Sequence, residues 1–281
     1  MTPFRAGKRL AALACRQPLV GRMTLRPLIA LCILILCGTS GNSSADTTDA
    51  DSDSKFVRGR LGAGAMVISR YSGSADYQTI PVPLASLKFG EFGYIQYWQA
   101  GLYFLSNQEK TLGLALVAAP RLGFNSSDGE RLVGMMTRRP SIETGLSLDY
   151  GSAKGGISVS YLHDVTGASD GGVARLYGLR RVDITEHVGV DAFVGLEQLD
   201  SKVANYYYGV RTAEATPARP FYEPGTDMKL RTGLHFNYDF GRKSTLLFGL
   251  EIDLLGNSLA NSPIAERGFS NLFYLGYGWR L

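Results

Sequence analysis

Three histidines, His163, His187 and His235, are the side chains of this sequence best suited to proton transfer near neutral pH. His163 is followed by Asp164, His235 stands four residues before Asp239, and His187 belongs to a Thr-Glu-His turn. A hydrolytic site needs such a base within hydrogen-bond reach of both a nucleophile and an orienting carboxylate. Residues four apart on an extended strand lie about 13 Å apart, so His235 and Asp239 cannot meet through their own strand. No two histidines fall at metal-ligand spacing. The expectation is therefore no catalytic set, no metal, no cofactor, and a chain that is not an enzyme.

The elements that carry these residues are legible from alternation. In "LRTGLHFNYDF" Leu230, Thr232, Leu234, Phe236, Tyr238 and Phe240 share one face, while Arg231, His235 and Asp239 share the other. Period two over this length is a strand with one oily and one charged face. After the turn "GRKS", "LLFGLEIDL" repeats the pattern with Glu251 and Asp253 on the polar face. Weaker copies around residues 141–150, 155–165 and 187–199 add Glu143, Asp149, Asp191 and Glu197 to that face. Segments of ten or more residues exceed the usual strand of about five or six and match the ~9 to 11 tilted residues that cross a bilayer.

The totals fit export. Residues 1–45 hold six basic side chains and no acid, then the apolar run "LIALCILILC" and small residues at Ser43 and Ala45. This reads as a cleaved secretory signal peptide, with Met1 or Met23 as the start. Its removal takes the 29 Lys and Arg to 23 against 25 Asp and Glu, a net charge of −2, so no nucleic-acid footprint remains. Cys15, Cys32 and Cys37 leave with it, and with them any disulfide or thiolate site. Residues 46–57 are an acidic, Ser/Thr-rich flexible stretch, and 58–281 form one domain.

Connection lengths alternate short and long, as in outer-membrane barrels with short periplasmic turns and longer external loops. The expected fold is all-β, a transmembrane antiparallel up-and-down barrel with ten strands favoured and twelve the alternative. The twelve-strand count draws its extra strands from "TIPVPLASLKFG" and "NYYYGVR". The chain should then sit in the outer membrane of a Gram-negative bacterium, in contact with outer-membrane lipid. A closed barrel also explains the oily ending, because the last strand must pair with the first to leave no edge in hydrocarbon. Phe273, Leu275, Tyr277, Trp279 and Leu281 would face lipid. They resemble the terminal signal read by the barrel-assembly machinery, with Leu281 where that signal usually carries Phe. Arg231, His235, Asp239, Glu251 and Asp253 would face the lumen, pairing across it or selecting ions. Tyr206, Tyr207 and Tyr208, with Phe221 and Tyr222 in the Pro-stiffened loop that follows, are either an aromatic belt or a partner-binding patch.

Three segments taken in order, "YSGSADYQTIPVP" (Tyr71 to Pro83), "YYGVRTAEA" with "FYEPG" (Tyr207 to Gly225), and "NSPIAERGFSNLFYLGYGWRL" (Asn261 to Leu281), resemble the MipA/OmpV family of Gram-negative outer-membrane proteins. The position often written Asp-Ser-Pro in that family reads Asn261-Ser262-Pro263 here. The resemblance implies a scaffold that brings a murein-hydrolysing lytic transglycosylase together with a penicillin-binding synthase. A small channel and an outer-membrane hydrolase are the alternatives.

Overall fold

The computed structural model describes residues 56–281 except 110 and 153. The expected leader, its three cysteines and nearly all of the acidic stretch lie outside the described residues. The rest is a closed barrel of twelve antiparallel strands, each paired with its sequence neighbours and β1 closing on β12. They are β1 (Val57–Ser69), β2 (Tyr77–Phe89), β3 (Gly93–Gln96), β4 (Gln99–Ser106), β5 (Leu112–Arg121), β6 (Ser141–Ser152), β7 (Gly155–Asp164), β8 (Gly172–Asp183), β9 (Val188–Leu199), β10 (Asp227–Phe240), β11 (Ser244–Leu255) and β12 (Phe269–Arg280). The closing seam runs from Arg60 opposite Arg280 to Ile68 opposite Leu272, as the oily ending demands.

The favoured count of ten is thus corrected to twelve, by a route the sequence concealed. One added strand is β2, from "TIPVPLASLKFG"; the other arises because the apolar segment "EFGYIQYWQAGLYFL" (91–105), long enough for one strand, folds back on itself at Tyr97-Trp98. Tyr97 takes a φ of 51°, a conformation that glycine usually supplies at such a turn. This extra reversal leaves the long 122–140 connection on the same end as the other long loops. "NYYYGVR" supplies no strand. It falls in helix α1 (Ser201–Tyr208), started by the Asp200 side chain accepting from the Val203 N–H at 2.9 Å. Val203, Ala204, Tyr207 and Tyr208 then share one buried face, a helical spacing and not a strand one.

Outward positions carry the apolar residues and are exposed: Leu102, Leu116, Leu146 and Tyr161 are all more than half accessible. An all-round band of exposed leucine and tyrosine suits hydrocarbon and not water. Among the described residues no helix is long and apolar enough to cross a membrane. Several glycines face inward under tyrosine rings: Gly249 lies beneath Tyr274 and Gly195 beneath Tyr177, where a Cβ would strike the ring. That packing places part of the unusual glycine content, since the rings need flat wall beside them.

Candidate functional site

The interior is the first candidate. Inward side chains of β5 to β11 form a buried ionic layer below the end that carries the long loops. Glu143 accepts from Arg121 and from Arg175 (2.7 Å), and Glu197 is flanked by Arg175 (3.2 Å), Lys229 (3.0 Å) and the Tyr177 hydroxyl (2.6 Å). Asp253 holds Arg231 through two bonds of 2.6 and 2.8 Å and Lys229 at 3.0 Å. The side chains of Glu143 and Glu197 are only 1 % and 2 % exposed, so the layer is packed at those carboxylates. Burial of so many charges is tolerable because each carboxylate has at least two cationic partners.

Arg231, His235, Asp239, Glu251 and Asp253 turn inward in the structure. Arg231 and Asp253 belong to the ionic layer. Lower down, Asp239 binds Arg60 of β1 at 2.8 Å, tying β10 to β1. His235 meets Glu251 at 3.0 Å rather than Asp239, and its ring lies against Tyr97, Phe193 and Tyr274. Those rings enclose the imidazole as a packed interior group. His163 is on the outward face of β7, where its Nδ1 meets the backbone oxygen of Asp164 and not the carboxylate. The Asp164 carboxylate instead fastens the 165–171 loop through Thr166, Ser169 and Asp170. His187 lies exposed in the turn between β8 and β9. Among the described residues no three His, Cys, Asp or Glu cluster as metal ligands.

Toward the opposite sector the lumen changes character. Met66, Val82, Leu84, Leu247 and Tyr274 form an apolar cluster, with Ile68, Ile80, Tyr97, Trp98 and Leu272 packed on it. Ala115, Val117, Ala119 and Leu162 extend the apolar lining beside Tyr94 and Tyr103.

Over this interior the long loops fold into a cap. Arg138 is its centre: its two terminal nitrogens bind the Glu214 carboxylate at 2.7 and 2.6 Å and its Nε binds the Tyr206 carbonyl at 2.7 Å. Both side chains are almost wholly buried. Burial works against the charged Glu214 carboxylate, but the Arg138 bonds and the N–H groups of Arg211 and Met136 outweigh it and lower its pKa to about 2. The three segments that carried the family resemblance converge here. Ser72 bonds the Tyr208 hydroxyl at 2.7 Å, Ser262 donates to the Tyr208 carbonyl at 2.5 Å, and Tyr71 donates to Glu266 at 2.6 Å. Arg138 and Glu214 were missed by the sequence reading, for they lie 76 residues apart in separate loops.

The aromatic candidates split between core and surface. Tyr207 and Tyr208 are buried, packed with Val203 and Leu259 of the cap, Leu259 belonging to the helical turn α2 (Asn257–Ala260). Tyr206, Phe221 and Tyr222 line an open groove of about 310 Å³ together with Lys202, Arg211 and Glu223. Phe273, Leu275, Tyr277, Trp279 and Leu281 are exposed on the outer wall. Tyr277 and Trp279 stack edge to face at 5.2 Å, beside the short-turn rim.

A closed antiparallel barrel with an apolar exterior, short turns at one rim and long loops at the other is a transmembrane β-barrel of the outer membrane. Within that class, residues 61–281 match the family described as MltA-interacting protein MipA, and the chain belongs to that family. It is 27% identical over 143 residues to the outer membrane protein Omp26La of Vibrio anguillarum, covering 51% of this chain and 55% of that one. It is 24% identical over 145 residues to the outer membrane protein OmpV of Vibrio cholerae, covering 52% and 56% respectively. The matched region is thus little more than half the length of either relative. Among solved structures, the NanC porin aligns over 79% of this chain and all of that one at 10% identity and a TM-score of 0.42. A porin refined at 1.8 Å covers 80% of this chain at 11% identity and 0.33. Scores this low add nothing to the strand pairing itself, which defines the fold here.

Proposed function

We propose that this barrel is a membrane-anchored scaffold of murein remodelling, holding a lytic transglycosylase and a penicillin-binding synthase near the sacculus. The observation that carries this reading is the filled interior. Glu143 and Glu197 are packed among Arg121, Arg175, Lys229 and Arg231 with a folded cap above them, a filling that favours work at the surfaces over passage through the lumen. The family description, an MltA-interacting protein, supports a protein partner. Murein lies on the periplasmic side, so the docking face is the short-turn rim, where Lys154, Arg242, Lys243 and Arg280 are exposed. Glu91, Glu109, Asp183 and Glu186 are exposed on the same rim, so charges of both signs are interspersed there, and it is the local cluster of Arg242, Lys243 and Arg280 that suits an acidic site on a partner. The aromatic groove lined by Tyr206 and Phe221 faces the other way, to the cell exterior, and is available to a different ligand.

The test is co-purification from mild detergent extracts with the full-length protein as bait. A lytic transglycosylase should be recovered, and the pair Arg242→Glu with Lys243→Glu should reduce its recovery several-fold without changing the heat-modifiable mobility of the barrel. Repeated absence of any murein enzyme from the wild-type extract would overturn the proposal.

A further inference from the structure

Over much of the barrel the register sets inward charges opposite their counterparts: Arg231 faces Asp253, Arg175 and Lys229 both face Glu197, and Arg181 faces Asp191. At the short-turn mouth this rule is broken twice in succession. Arg58 of β1 stands opposite Lys88 of β2, and Arg60 of β1 opposite Arg280 of β12. All four lie at inward positions, in step with buried Met66 on β1, Leu84 on β2 and Tyr274 on β12. Like charges directly opposite each other destabilise a strand pair, so holding these four together costs the sheet stability. An acidic pair of the same kind, Glu143 opposite Asp164, is answered within the fold. Arg121 and Arg175 hold the first carboxylate, and the N–H groups of Thr166, Ser169 and Asp170 hold the second.

The basic pairs are answered only in part. Asp239 takes two bonds from Arg60, at 3.3 and 2.8 Å, and lies 4.0 Å from Arg280. Arg280 also donates to the Arg242 carbonyl at 3.3 Å, and its backbone N–H to the Lys243 carbonyl at 2.8 Å, which brings that turn to the same edge. Among the described residues at the short-turn end from β10 round to β3, six cations gather: Arg58, Arg60, Lys88, Arg242, Lys243 and Arg280. Two side-chain carboxylates accompany them, Asp239 and Glu91 of the β2–β3 turn. Lys88, Arg242, Lys243 and Arg280 are exposed, so the excess positive charge faces water.

Position selects what can answer it. The outward neighbours at this end are Leu61, Tyr277 and Trp279, so a phospholipid headgroup beside the wall meets apolar and aromatic side chains, not the cations. The ligand approaches from the aqueous periplasm, and a mouth lined by one sign of charge concentrates anions there. Strands lie about 4.8 Å apart, so the row from β2 through β1 to β12 spans about 10 Å, a reach that suits a chain bearing carboxylates at intervals. We propose that this mouth binds the carboxylates of murein peptide stems, so that the scaffold holds the substrate beside an enzyme docked at Arg242 and Lys243. The identity of the anion rests on the scaffold reading above; the excess of cations does not.

The test is co-sedimentation of the complete barrel, in a neutral detergent, with purified sacculi and no enzyme present. The barrel should pellet with sacculi at low salt and be released as salt rises. Arg58→Gln with Lys88→Gln should weaken binding about tenfold, as for loss of two surface cations at an anionic ligand, and leave recovery of the transglycosylase in the pull-down unchanged. Lys88→Gln alone serves if the pair does not fold, as judged by heat-modifiable mobility. Lys154→Gln with Arg180→Gln, an equal loss of charge near the β7–β8 side of the barrel, should bind as the wild type does. Sacculi whose carboxyls have been converted to methyl esters should not bind. No pelleting at low salt, equal binding to esterified sacculi, or undiminished binding by the folded variant would each overturn the proposal. Binding to soluble polyglutamate but not to sacculi would give the mouth to an acidic polypeptide and overturn it as well. With no enzyme in the assay, failure here leaves the co-purification result standing.

Discussion

The half of the barrel from β6 to β11 and the half from β12 round to β5 close the same cylinder by opposite means. In the first, strands pair along their full length and the interior is ionic, with Glu143, Glu197 and Asp253 shared among Arg175, Lys229 and Arg231, and with Arg121 reaching in from the end of β5. In the second, the hairpin of β3 and β4 stops short and the interior is filled by Met66, Val82, Leu84 and tyrosine rings. Charges can be buried where the wall keeps lipid out, because their partners are fixed by register across neighbouring strands. Where the wall is interrupted, an unpaired charge would face hydrocarbon at a cost of several kcal/mol, and apolar filling is the stable choice. Arg121, at the end of β5 beyond its pairing with β4, is the charge that stands at the interruption, and it is held by Glu143.

The comparison can be broken most forcefully in the ionic half. Glu197→Ala leaves Arg175, Lys229 and Arg231 crowded without their shared carboxylate, and should cost roughly 3–5 kcal/mol, as breaking a buried pair does. Leu84→Ala in the apolar half should cost about 2–4 kcal/mol, and less if Met66, Val82 and Leu247 relax into the vacated space. Denaturant unfolding of both variants in detergent orders the two; a larger loss at Leu84 would mean that the halves are not held as described.

A smaller perturbation leaves both halves alone and loosens the cap. The Glu214 carboxyl is depressed in the folded protein from 4.5 to about 2. Its contribution is therefore complete above the ordinary carboxylate range and is lost as pH falls through about 2. Amide exchange in the 200–226 loop should rise between pH 4 and pH 2 in the wild type, and Glu214→Gln should show raised exchange already at neutral pH. Equal exchange in both proteins at pH 7 would remove Glu214 from the account.

Much of this was legible in the chain. The strands β10 and β11 follow from strict alternation, and the inward placement of Arg231, His235, Asp239, Glu251 and Asp253 follows from parity alone. Which charges meet was not legible, because Glu197 finds Lys229 and Arg175 through pairing of three strands, a fact of register. The strand count failed at a particular place. Two prolines demote "TIPVPLASLKFG" as a strand, and the Tyr97-Trp98 turn carries no glycine or asparagine to mark it. Helix α1 was hidden by three tyrosines that read equally well as a rim strand; its signal was Asp200, an N-cap residue followed by helical spacing of the buried positions.

The central claim is that the interior is filled, by ions on one side and by apolar groups on the other. Single-protein recording in a planar bilayer tests it most directly. The account predicts insertion without a steady ionic current under moderate voltage; regular, stepwise conductance from the wild-type barrel would contradict it.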